Sequence, residues 1–150
     1  MSPEPTGPLS AAEREVWHSI KTLSELALFR VGAEIEAATG LSGADFSVLS
    51  RLEDLGSGQL SQRDLGRALN WQRSRLSHQL ARMQGRQLLT RSPREAAGPS
   101  LIRISHEGQQ ALAAARPVHA RAVRGYLLRH VTPEHADALI ALARRLTSVD

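Results

Sequence analysis

The chain has 150 residues, a formal net charge of +4 and no cysteine, and its length gives room for one domain with a real core, or a small domain plus an oligomerising extension. The lack of cysteine excludes disulfides, thiolate metal sites and thiol redox switches, and no apolar run approaches the roughly 18 residues needed to span a bilayer. Lys21 is the sole lysine, so nearly all the positive charge is arginine, the side chain better suited to bidentate contacts with phosphate or base edges.

Residues 1–8 are rich in proline and read as a flexible lead-in, with neither the basic nor the apolar region of a secretory signal, so a cytoplasmic location is expected. Ser10 with Glu13 has the spacing of a capping box. From there to about Thr39, Trp17, Ile20, Leu23, Ala27, Val31 and Ile35 recur at three- and four-residue steps, which predicts a long amphipathic helix stopped by Gly40. Ser42 caps a second helix to about Leu55, and Ser61 starts a short third. After a brief turn comes a fourth, from Trp71 to about Arg86. QLLTR and SLIRIS, separated by SPREAAGP, predict a two-stranded hairpin. Ser105 with Glu107 restarts helix from about His106 to His130, tolerating Pro117. Thr132 and Pro133 begin a last helix through Leu139, Leu142 and Leu146.

That order predicts a mainly α (α+β) fold: a winged helix-turn-helix over residues 42–104, flanked by helical segments 9–41 and 105–150. The flanking helices carry apolar stripes without an evident partner in so small a core, so they are expected to pair with a second copy of the chain.

The segment WQRSRLSHQL, Trp71 to Leu80, contains no aspartate or glutamate. With Leu76 placed inward, Leu80 and Met83 share its side of the helix, leaving Ser74, Arg75, Ser77, His78 and Arg82 on the outer arc. A helix enters the DNA major groove only if its outer face is slim and bears donors that reach base edges and phosphates. Arg75 is the candidate reader of guanine O6 and N7. Ser74, Ser77 and His78 are candidates for bases or phosphates, and Gln72 and Arg73 sit where the helix start meets the backbone. Gly66 is expected to let the third and fourth helices cross closely. Arg91 before the wing loop, Arg94 in it and Arg103 after it are candidates for phosphate or minor-groove contacts. A basic helical face taken by itself is more often a solvated surface, and only the hairpin that follows this segment shifts the balance; winged domains also bind proteins. That rival reading calls for large apolar anchors, which the arc lacks.

No histidine pair has the i, i+4 spacing with a nearby acid that a metal site needs, and no phosphate loop, nucleophile elbow or carboxylate pair stands out. Neither cofactor nor metal is expected, and the chain does not read as an enzyme.

The residues LSGADFSVLSRL, LSQRDLGRALNWQRSRLSHQLARMQGRQLLTR and IRISHEGQQAL resemble, over nearly the full length, the MarR family of bacterial transcription regulators. The pattern W-x-x-S-R-L-S-H with a following R-M is similar to a branch abundant in actinobacteria. The resemblance implies a roughly triangular homodimer whose terminal helices form the interface and whose two winged lobes bind a pseudo-palindromic operator on double-stranded DNA, usually as a repressor. It further implies release by a small aromatic or phenolic anion bound between dimer helices and lobe. Trp17 matches a tryptophan of the urate-responsive branch, and His18 and His119 are further candidates to face that ligand cleft. The wing departs from the family, since SPREAAGPS lacks the usual D-x-R arrangement. The missing cysteines set the chain apart from the peroxide-sensing branch.

Overall fold

The computed structural model describes residues 7–92 and 100–148. Helix α1 runs Ala11–Thr39. Ser10 Oγ accepts the Glu13 N–H while the Glu13 carboxylate accepts that of Ser10, so two otherwise unpaired donors are satisfied reciprocally. Gly40, at φ 73°, ends α1 in the left-handed conformation. Helix α2, Gly43–Gly56, opens with the same reciprocal box between Ser42 and Asp45. Strand β1 is Gln59–Ser61, and Ser61 at its end caps α3, Gln62–Leu69. Helix α4, Arg73–Gly85, leads into strands β2, Leu89–Arg91, and β3, Leu101–Ile104. Ser105 caps α5, His106–Tyr126, and α6, Pro133–Thr147, starts at Thr132 with proline in its first turn. The fold is the expected mainly α one, with a small sheet.

Two details differ from expectation. The sheet has three strands, in the order β1-β3-β2, both pairings antiparallel, with Gln59 opposite Arg103 and Thr90 on the other side of Arg103. β1 comprises three residues, too few for an alternating pattern, and it becomes a strand because β3 supplies the ladder partners. The penultimate helix stops at Tyr126, and Leu128–His130 form a separate 3-10 turn. Gly125 weakens the last turn of α5, and the Tyr126 hydroxyl donates to Glu34 on α1 at 2.9 Å. Pro117 lies inside α5, as expected.

The core joins α2, α3, α4, the sheet and the first half of α5 through Leu49, Leu52, Leu65, Leu76, Leu80, Met83, Leu89, Ile102 and Leu112. Full burial of one such side chain stabilises by about 1.5–3 kcal/mol. Gly108 is set so tightly in the first turn of α5 that an added Cβ would fall 2.0 Å from the Leu88 carbonyl oxygen. Helix α5 is thereby seated directly on the chain entering β2, while its length packs chiefly along α1.

The outer helices are different. In α1 only Ile35 is buried, and α6 has no buried residue at all. Val16, Trp17, Ile20 and Leu23 on α1, and Leu139, Ile140, Leu142 and Leu146 on α6, are exposed in the single chain.

Candidate nucleic-acid interface

The turn between α3 and α4 is made by Asn70, in the left-handed conformation at φ 52°, and by Trp71, whose N–H donates to the Gly66 carbonyl at 3.0 Å. A Cβ on Gly66 would stand 3.5 Å from Leu76, ordinary contact, so the crossing has room for a methyl and for little more. Gln72 starts α4 without a side-chain cap, leaving the first N–H groups of the helix available to an anion.

Leu76, Leu80 and Met83 face inward, joined by Gln79. Gln72, Arg73, Ser74 and His78 are on the outward side and flank of one helix with Ser77, which is half-buried. Between Asp64 and Glu95 the chain has no acidic residue, so no carboxylate on α4 or β2 opposes their charge.

Arg82 and Arg91 are placed differently. The Arg82 guanidinium donates to Gln79 Oε1, whose Nε2 donates to Asp45 Oδ1 at 2.6 Å. Arg86 donates to Asp45 Oδ2 at 2.6 Å and to the Gly40 carbonyl at 2.9 Å. Asp45 is 2% exposed and Gln79 3%; burial of a carboxylate is tolerable only when it is paired and hydrogen-bonded. The chain of contacts ties the flank of α4 to the start of α2 and the end of α1. Arg91, half-buried on β2, donates to Gln62 Oε1 at 2.5 Å and to Ser77 Oγ at 3.4 Å, bracing the sheet against α3 and α4. Arg103 donates twice to Gln59 Oε1 across the β1–β3 ladder. Arg94 lies outside the described residues.

Two depressions flank α4. One, a cleft of about 930 Å³ between α3, α4 and the sheet, is lined by Arg63, Arg67, Arg73, Ser77 and Arg91 among others. The other, a groove of about 780 Å³ between α1, α2, α5 and the α3–α4 turn, is lined by Phe29, Phe46, Leu69 and Trp71 and by the polar side chains of Arg51, Asp54, Arg75, Arg116 and His119 among others. Arg75 turns into this second groove: its guanidinium lies 4.1 Å from the centre of the Trp71 ring, within cation–π range. His119 stacks on Phe46 with ring centres 4.6 Å apart. Its pKa is lowered from the ordinary 6.5 by burial first and by the neighbouring Arg116 second. Arg116 itself is paired with Asp54 at 2.6 Å. Of the three residues expected at a ligand cleft, only His119 lines the groove; Trp17 and His18 are exposed on the N-terminal part of α1, where Lys21 sits 5.7 Å from the Trp17 ring.

The arrangement has counterparts among solved structures. A MarR family transcriptional regulator from Streptomyces coelicolor, solved in complex with DNA, matches with a TM-score of 0.85 and 25% identity over 96% of this chain and 91% of that one. The fold is that of the MarR family of transcriptional regulators. AbsC, another MarR family regulator of Streptomyces coelicolor, matches at TM-score 0.79 and 24% identity over 95% of this chain and 99% of its own. BpsR of Bordetella bronchiseptica, whose DNA binding is regulated by 6-hydroxynicotinic acid, matches at 0.75 and 21% over 93% and 98%. No family model and no curated protein matches the chain by sequence.

On this MarR-type frame the sequence reading missed Arg63 and Arg67. They stand four residues apart in QRDLGRAL, the spacing that puts two side chains on one helical face, and that signal is present in the sequence. What the sequence hides is the cleft that brings this face of α3 beside α4. Among the described residues no cluster of three or more His, Asp or Glu side chains has the arrangement of a metal site, and no helix is long and apolar enough to cross a membrane.

Proposed function

We propose that this chain is a DNA-binding transcriptional regulator: a homodimeric repressor that holds a pseudo-palindromic operator and releases it when a small aromatic anion binds. The observation that carries the reading is the acid-free, arginine- and serine-bearing outer face of α4, continued by Arg63 and Arg67 across the cleft beside it. Such a face matches the alternation of phosphates and base edges in a major groove. The DNA complex of the Streptomyces coelicolor neighbour supports it.

In this reading Gln72, Arg73, Ser74, Ser77 and His78 meet the DNA, with Arg75 as the guanine reader and Arg63 and Arg67 on flanking phosphates. Arg91 acts through Ser77 and Gln62, setting the angle between the wing and α4, and Arg82 acts through Gln79. Arg94 is assigned to the wing contact. The exposed apolar faces of α1 and α6 pair with those of a second copy, burying Trp17 and its neighbours. Two α4 helices then sit about one turn of DNA apart, near 34 Å, or a multiple of it. The groove holding His119 is the effector site. Aromatic walls rimmed by guanidinium groups suit a planar anion, and the chemistry of 6-hydroxynicotinic acid, the regulator of BpsR, is of that kind.

The test is fluorescence anisotropy of the protein with the DNA upstream of its own gene and with random duplex, titrated across salt. The expected result is selective binding to the first with a steep salt dependence. Equal, weak binding to both, together with no enrichment from a randomised duplex pool, defeats the reading.

A further inference from the structure

The groove and the recognition face are separate surfaces, yet one side chain belongs to both. Arg75 is the third residue of α4, in the turn of a recognition helix that reaches base edges. Its guanidinium nevertheless lies in the groove, 4.1 Å from the centre of the Trp71 ring. Among the described residues no carboxylate pairs with it there. Of the other groove cations, Arg116 is paired with Asp54, a carboxylate that also lines the groove. With Asp54 held by Arg116, the groove offers an anion the guanidinium groups of Arg51 and Arg75 beside the aromatic side chains of Phe29, Phe46 and Trp71.

We propose that Arg75 is shared between two positions: over Trp71, where it pairs with the anionic group of a groove ligand, and out on the DNA, where it contacts a base edge. Competition for this one side chain links effector to operator. The proposal rests on the effector reading of the groove and adds the residue through which the signal passes. A planar aromatic carboxylate in the groove satisfies the guanidinium from one side while Trp71 covers the other, so the arginine is retained and the base is deprived of its donor. Conversely, DNA that draws Arg75 out removes a cation from the groove. Each ligand must then weaken the other by the same factor. A flexible, charged arginine can make either contact without a rearrangement of the backbone, so the switch needs no change in the spacing of the two lobes.

The experiment uses the full chain, benzoate as the aromatic anion, benzyl alcohol as its neutral counterpart, and a labelled duplex enriched from a randomised pool by the wild-type protein. Calorimetry gives benzoate affinity and anisotropy gives DNA affinity, each with and without the other ligand, for wild type and R75Q. Residue 75 is exposed, so the variant folds, which circular dichroism checks. For wild type the expected result is that benzoate weakens DNA binding at least fivefold, DNA weakens benzoate binding by the same factor, and benzyl alcohol does neither. In R75Q both affinities fall and the mutual weakening vanishes. If R75Q keeps the mutual weakening at its wild-type factor, the shared-arginine proposal is overturned while the effector groove stands. If benzoate neither binds the wild type nor weakens its DNA binding, the effector reading fails, and the proposal with it.

Discussion

Asp45 shows how much one side chain can carry in this molecule. Its carboxylate caps α2, receives Gln79 from α4 and pairs with Arg86, all while 2% exposed. Asp45→Ala removes the reciprocal half of the capping box and strands a buried amide and an arginine together, and should cost about 2–4 kcal/mol, the half-exposed position of Arg86 tempering the effect. Urea denaturation measures it, and Asp45→Asn, which keeps the shape, should cost less. Gly108→Ala tests the opposite fault, excess volume. With the Leu88 oxygen 2.0 Å from the new methyl, α5 must shift, and destabilisation of about 1–3 kcal/mol is expected from a thermal melt converted through the unfolding enthalpy. His119 gives a pH signature. Its folded pKa is lowered by burial, so the unfolded chain binds the proton more tightly and stability rises with pH through the region just below 6.5. The penalty is absent well above that pH, appears as pH falls through it and is complete once the folded histidine is protonated. A stability–pH curve of His119→Phe should lack this step.

The elements were legible to different degrees, for identifiable reasons. Ser10 with Glu13 and Thr132 with Pro133 announce helix starts because capping involves residues within three positions of one another, visible in any short window. The inward face of α4 was equally readable, since 3.6-residue periodicity fixes Leu76, Leu80 and Met83 together. β1 was not, because its ladder lies with β3, far along the chain. Nor was the engagement of Arg82, whose fate depends on Gln79 and, through it, on Asp45 at a separation of 34 residues. Periodicity placed Arg75 on an outer arc but gave no hint of Trp71 beneath it. On α3, Arg63 and Arg67 line the cleft beside α4. Replacing either by alanine should weaken binding to operator and random duplex alike and reduce the salt slope by about 1 for each phosphate deprived of its arginine, as anisotropy across a salt series would show.

The apolar faces of α1 and α6 are unburied in the single chain, and the proposed dimer rests on them. Leu139→Glu combined with Leu146→Glu puts charge on a helix that has no buried residue in the single chain, so the winged lobe should keep its far-ultraviolet spectrum. Sedimentation should then report a species of half the wild-type mass, and operator affinity should fall by more than about tenfold as the second half-site goes unfilled. A change of mass with DNA binding intact would mean that one lobe suffices. The seat of Gly108 against Leu88 has a mechanical consequence at this scale. One end of α5 is seated on Leu88, just before strand β2, and the other is held to α1 by Tyr126 and Glu34. With 21 residues the helix is a rod of about 31 Å, and a tilt of about 5° pivoting at Tyr126 sweeps the far end through about 3 Å, as simple leverage over that length requires. Such a tilt would carry Leu112, Ala115 and Val118, which lie in the core along the rod, with it, so a small push at the pivot reaches the wing only by way of the core.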